Sequence, residues 1–184
     1  MSAKGLISIP GRPDSRVAYD QLISLAAVAS TAPPGAFVEV GVYQGGSAWH
    51  LYQVAERQGR TLHLFDTFTG IPHKGDLDTH AIGDYGNVDL KNLRADFPNA
   101  VFHVGVFPAT LPGDLRGLAF VHVDCDQYAG HRACIDLLYP RLVPGGIMMF
   151  DDYPVLRGAK QAVEETFPLS RLINTGYRFH VVKE

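Results

Sequence analysis

LAFVHVDCDQYAGHRACIDLLYPRLVPGGIMMFDD, residues 118–152, decides the fold. LAFVHVD (118–124) is a near-unbroken apolar run that ends on an acid, the pattern of a strand buried on both faces. A helix follows from about Gly130 to Leu142, then the turn VPGG, then a second apolar strand, IMMFDD (147–152). Strand, helix and strand in that order form a parallel crossover unit, and both strands finish on aspartates.

The same alternation extends in both directions. Upstream, AFVEV (36–40) is a strand, GVYQGGS a glycine-rich turn, about Ser47 to Arg57 a helix, and TLHLFD (61–66) a strand ending on Asp66. A helix at 88–96 and a strand at 100–104 complete the approach to residue 118. Downstream, a helix runs from about Leu156 to Thr166, and SRLINTGYRFHVVKE reads as two strands joined at Asn-Thr-Gly. Before the first strand, Val17, Leu22, Leu25, Ala26 and Val28 fit one helical face over Ser15–Ala29, with Asp14 or Ser15 as the cap. The expected architecture is α/β and Rossmann-like: a mostly parallel seven-stranded sheet with helices on both faces and a C-terminal antiparallel hairpin. Residues 1–184 are expected to form one domain, with an arm and helix at 1–35 and an active-site loop at 67–87.

Composition narrows the function. The formal net charge is −3 with no concentrated basic run, which argues against nucleic acid as a partner. No apolar stretch is long enough to cross a membrane, and MSAKGLISIPGRPD lacks the apolar centre of a signal peptide. Cys125 and Cys134 are too few for a disulfide framework and fit a reducing compartment, so the cytoplasm is the expected location. A homo-oligomer is compatible with this composition.

Ligands of parallel sheets bind at the carboxyl ends of the strands. Four strands carry acids there: Glu39, Asp66, Asp124 with Asp126 beyond it, and Asp151 with Asp152. Gly41, Gly45 and Gly46 let the backbone approach a ligand closely, but neither a P-loop nor G-x-G-x-x-G is present. A carboxylate beside that turn repels a pyrophosphate and suits an ammonium group, such as that of S-adenosylmethionine (SAM). Asp66 is placed to accept from both ribose hydroxyls. The aspartates of the last two parallel strands should repel one another with no Lys or Arg nearby, and a hard cation such as Mg²⁺ relieves that repulsion. Asp151→Asn is therefore expected to stabilise the metal-free fold. Asp126 is by position a general base for an acceptor hydroxyl. His122 reads as a satisfied core histidine.

FVEVGVYQGGS, FDTFTGIP, GVFPATLP, VHVDCDQYAGHRACIDLLYPRLVPGGIMMFDDY and RGAKQAVEETF together resemble the TylF-type macrocin O-methyltransferase family over about residues 36–168. The resemblance implies a class I methyltransferase fold, use of SAM and Mg²⁺, and methylation of sugar hydroxyls on small natural products. It implies that Asp124, Asp151 and Asp152 ligate the metal and that Asp126 is the base, with Asp84 its rival in the 67–87 loop. Glu39, Gly41, Gly45, Gly46, Ser47, Asp66, Thr67, Phe68, Gly70 and Gly105 would hold SAM. The chain departs from the family pattern in having Ala129-Gly130-His131 after the Asp-x-Asp-x-Tyr element. Two other classes stay open: a glycosyltransferase using Asp124-Cys125-Asp126 to bind a sugar nucleotide, and a SAM-binding domain without turnover.

Overall fold

The computed structural model describes residues 17–184. The expected cap residues Asp14 and Ser15 and the first sixteen residues of the 1–35 segment lie outside that range, and the first helix, α1, spans Tyr19–Ser30. It is followed by β1 (Ala36–Val40), α2 (Gly46–Arg57), β2 (Leu62–Asp66), α3 (Leu90–Asp96), β3 (Val101–Val104) and β4 (Leu118–Val123). Then come α4 (Tyr128–Leu138), β5 (Leu142–Phe150), α5 (Arg157–Glu164), β6 (Ile173–Asn174) and β7 (Phe179–Val182).

The seven strands make one sheet in the order β3-β2-β1-β4-β5-β7-β6. The first five are parallel, and β7 and β6 add antiparallel pairs at one edge. The order reverses between β1 and β4, so the crevice at their carboxyl ends is where this topology binds ligands. Alternate residues of each strand face opposite sides. Phe37, Leu64, Phe120 and Met149 pack with α1, α2 and α3, while Val38, Phe65, Val121, Met148 and Phe150 pack with α4 and α5. Both faces are covered, which is why β4 is buried at all six positions and reads as a continuous apolar run.

Two boundaries differ from the sequence expectation. The helix α4 stops at Leu138, because Pro140 has no N–H to continue it, and residues 139–141 form a 3₁₀ turn. The VPGG turn is absorbed into β5: Leu118 pairs with Leu142 and Phe120 with Ile147, so the extra residues bulge out of the ladder. Gly145 takes φ 78° in that bulge, and its N–H reaches the Lys183 carbonyl at 2.8 Å.

Residues 67–87 contain no helix or strand, as expected, but the loop is strapped down. Ile71 and Asp84 exchange a backbone hydrogen bond, as do Gly83 and Ile71. Asp78 accepts from the Tyr128 N–H at 2.8 Å, capping the start of α4 from outside the helix. No helix among the described residues is long and apolar enough to cross a membrane.

Candidate functional site

A cavity of about 480 Å³ opens at the carboxyl ends of β1, β2, β4 and β5. Gly41, Gly46, Ser47, Asp66, Thr67, Gly70 and Gly105 line one part of it, and Asp124, Asp126, Asp151 and Asp152 line the other. Glu39, Gly45, Phe68 and Asp84, which the sequence also proposed, are not on its wall.

The glycine turn is built for close approach. Gly41 adopts φ 92°, and a Cβ there would lie 1.8 Å from the Asp124 carbonyl oxygen, so the turn rests directly on the end of β4. Gly45 has a supporting role: a Cβ would strike Leu93 and Phe97 of the core. Asp66 organises both flanking turns. Its Oδ2 accepts from the N–H groups of Val42 (2.7 Å) and Tyr43 (2.9 Å), and its Oδ1 from that of Phe68 (2.7 Å). Those bonds use three of about four acceptor positions of a carboxylate, so Asp66 shapes the pocket as well as facing it. Phe68 serves through its backbone alone, its ring being buried with the core beside Phe102.

Strain is concentrated here. Tyr43, Phe68, Tyr85 and Asp126 are the non-glycine residues with left-handed backbone among those described, at φ 50–63°. Three of the four line the cavity, and such conformations persist only where the surroundings hold them.

On the acidic side, ligand atoms of Asp124, Asp151 and Asp152 come within 4.8 Å of one another. Burial, followed by the charges of Asp151 and Asp152, pushes the Asp124 carboxyl well up. Burial and then the Asp151 charge push Asp152 up to about 7. Asp126 is also raised to about 7, by burial first and the Asp152 charge second, while His80 counters the rise from 3.4 Å away. The Asp126 N–H donates to Asp152 Oδ2 at 3.0 Å, tying the two together. Carboxyls crowded together in this way form a set of hard oxygen donors that fits a divalent cation, whose charge would favour their ionised forms.

Asp151 behaves oppositely, and here the expectation of no nearby Lys or Arg is corrected. Arg178, carried in by the C-terminal hairpin and only 2 % exposed, donates through Nε to Asp151 Oδ1. Its Nη1 bonds the Gln21 carbonyl of α1 at 2.9 Å. Burial alone would raise Asp151; His122, its Nε2 3.4 Å away, and the Arg178 charge outweigh it and hold the carboxyl at about 2. Arg178 escapes a reading along the chain because β7 inserts beside β5, which precedes it by some thirty residues.

Glu39 is fully buried and turned away from the cavity, with Oε1 2.8 Å from His122 Nδ1. His122 is satisfied at Nδ1, as expected of a core histidine, but its Nε2 points at Asp151. Asp84, its side chain 47 % exposed, accepts from the Ala81 N–H at 2.8 Å and closes a loop turn off the cavity wall, with Oδ2 3.9 Å from Nδ1 of the cavity-lining His80.

The α/β sheet, five parallel strands continued by an antiparallel pair, has the Rossmann-like architecture of the class I methyltransferases. The chain belongs to the macrocin O-methyltransferase (TylF) family, whose model matches residues 19–175. It is 32% identical to the 8-demethyl-8-(2,3-dimethoxy-alpha-L-rhamnosyl)-tetracenomycin-C 4'-O-methyltransferase of Streptomyces olivaceus, across 78% of this chain and 64% of that protein. It is 29% identical to the mycinamicin III 3''-O-methyltransferase of Micromonospora griseorubida, across 72% and 60%. The chain thus spans somewhat less than two thirds of these relatives' lengths. Among solved structures it resembles the O-methyltransferase NovP (TM-score 0.77, 24% identity, 92% of this chain and 81% of that one). The calicheamicin methyltransferase CalS11 is also similar (TM-score 0.75, 22% identity, 91% and 80%).

Proposed function

We propose that this protein is a SAM-dependent O-methyltransferase that acts on a hydroxyl of a small molecule, a sugar or related natural product, assisted by a divalent cation such as Mg²⁺. The observation that carries the reading is the single cavity that joins a glycine turn with Asp66 to the buried trio Asp124, Asp151 and Asp152. The printed names of the relatives support a glycosylated acceptor, one being a rhamnosyl-tetracenomycin methyltransferase. Residues 17–184 act as one methyltransferase domain in this reading, with 67–87 as the active-site loop, and the free Cys125 and Cys134 suit the cytoplasm.

In this reading Gly41, Gly46 and Ser47 admit the cofactor's backbone-facing edge, Asp66 accepts from its ribose, and Thr67, Gly70 and Gly105 complete the wall. SAM supplies a methyl group on a sulfonium, which leaves as a neutral thioether. Asp124, Asp151 and Asp152 would hold the cation, whose chemistry is Lewis-acid polarisation of the acceptor hydroxyl. Asp126, which faces the cavity, would accept the proton of the acceptor hydroxyl as general base. The residues otherwise position the reactants, and in-line transfer needs little covalent help.

Calorimetry and turnover with a rhamnosylated acceptor test the reading. SAM should bind with or without chelator, and methylation should stop when metal is removed and return with Mg²⁺. Full turnover by protein shown to be metal-free would refute the cation's role. Binding of sugar nucleotides in preference to SAM would favour the glycosyltransferase reading of Asp124-Cys125-Asp126. SAM binding without transfer to any hydroxyl would leave a domain that binds and does not turn over.

A further inference from the structure

The unexplained feature of the site is the buried pair behind it. Glu39 and His122 are neighbours on β1 and β4, paired in register, and both are 0 % exposed. They share the sheet face of Phe37 and Phe120, and the alternation of β5 puts Asp151 on that face too, two residues after Met149. The imidazole therefore stands between two carboxylates: Nδ1 lies 2.8 Å from Glu39 Oε1, and Nε2 lies 3.4 Å from Asp151 Oδ1. Arg178 addresses the same Oδ1 from the other side. His122 Nε2 and Arg178 Nε thus address one oxygen of Asp151, and Oδ2 has no protein donor among the described residues. Glu39 Oε2 and His122 Nε2 are buried without a hydrogen-bond partner, so the pair is not a self-contained core contact.

We infer that Glu39 and His122 are positioning residues for the cation and not for SAM: Glu39 fixes the imidazole, and the imidazole fixes Asp151 with one oxygen held and the other free to ligate. The inference rests on the proposed cation site and reassigns Glu39 from the cofactor half to the metal half. Outer partners of this kind set the orientation of ligating side chains, and their loss costs about 10–100-fold in metal affinity. Glu39, His122 and Asp124 also offer ligand atoms within 4.8 Å of one another. Both imidazole nitrogens already face carboxylates, however, so a role as connector accounts for His122 better than one as ligand.

The test measures Mn²⁺ affinity by electron paramagnetic resonance and SAM affinity by calorimetry, on wild type, Glu39→Gln, His122→Gln and His122→Asn. Circular dichroism checks that each variant is folded. A Gln amide falls near the position of Nε2 and an Asn amide near that of Nδ1. His122→Gln should therefore keep the donor to Asp151 and His122→Asn lose it. The expected result is a loss of Mn²⁺ affinity of about tenfold or more in Glu39→Gln and His122→Asn, a smaller loss in His122→Gln, and SAM affinity within about twofold throughout. A fall in SAM affinity for Glu39→Gln with Mn²⁺ binding intact would overturn the inference and return Glu39 to the cofactor. Equal Mn²⁺ affinity in all four proteins would overturn it while leaving the cation site standing. Absence of Mn²⁺ binding in wild type would overturn both. If Glu39→Gln fails to fold, the ranking of the two His122 variants still decides.

Discussion

Asp152→Asn should stabilise the metal-free protein, and by an amount that depends on pH. Folding lifts this carboxyl from its ordinary 3.8 to about 7 through burial and the Asp151 charge. Ionising it in the folded state therefore costs about 4 kcal/mol relative to the unfolded chain, at about 1.4 kcal/mol per tenfold. The folded state holds a proton that the unfolded state has already released, so wild-type stability falls as pH rises from about 4 to about 7 and then levels off. Asparagine keeps the size and can accept the Asp126 N–H in place of Oδ2, but carries no charge to bury. Its advantage over wild type should be about 4 kcal/mol at pH 8 and about 2 kcal/mol at pH 5. Urea unfolding in excess chelator, followed by fluorescence of the single tryptophan, Trp49, measures both. With Mg²⁺ present the order should shrink or reverse, because wild type alone keeps all three ligands. A variant no more stable than wild type at pH 8, or equally favoured at both pH values, would refute the idea that burial and the Asp151 charge penalise the ionised Asp152.

The same substitution at Asp151 should do the opposite. The sequence favours relief of repulsion there, but Asp151→Asn leaves the buried Arg178 without its counter-charge and should cost about 3–5 kcal/mol in the same assay. Asp66→Ala removes the acceptor of three backbone N–H groups as well as the proposed ribose contact, and should weaken SAM binding by about 1–3 kcal/mol in calorimetry. Asp126→Asn should lower kcat by about 100-fold or more with Mn²⁺ affinity nearly unchanged, whereas Asp84→Asn should leave kcat near wild type; the reverse pattern would restore Asp84 as the base. Limited proteolysis should cut within 67–87 in the free protein and be suppressed by S-adenosylhomocysteine, and equal cutting with and without it would remove the loop from the cofactor site.

The strand-end acids are legible in the sequence because apolar runs that stop on Asp or Glu mark where a parallel sheet ends, and the topology then gathers those ends. Glu39 is the instructive exception. It lies one residue short of the end of β1, and the two-residue alternation already puts it on the buried face of Phe37. Proximity in sequence to Gly41 suggests a shared ligand, whereas the direction of its side chain, toward His122, is set by the pairing of β1 with β4. Arg178 is invisible for another reason, since the antiparallel insertion of β7 beside β5 is a tertiary event with no local signature. Asp84 and Asp78 are both acids of a loop without periodicity, and nothing in the sequence separates the exposed turn-former from the one that caps α4.

The contact between Gly41 and the Asp124 carbonyl gives position 41 a double allegiance. It belongs to the proposed cofactor turn, yet one added methyl group would displace the backbone that carries a proposed cation ligand on another strand. Replacing this glycine would thus be read out in two titrations at once, SAM and metal, with no charge altered and no ligand contact deleted. Anything that shifts the turn when SAM binds is transmitted to Asp124 through the same atoms, and by reciprocity the cation would bias the turn in return. Sequence drift on either half of the pocket is then constrained by the other, through a contact that holds no side chain on the glycine side.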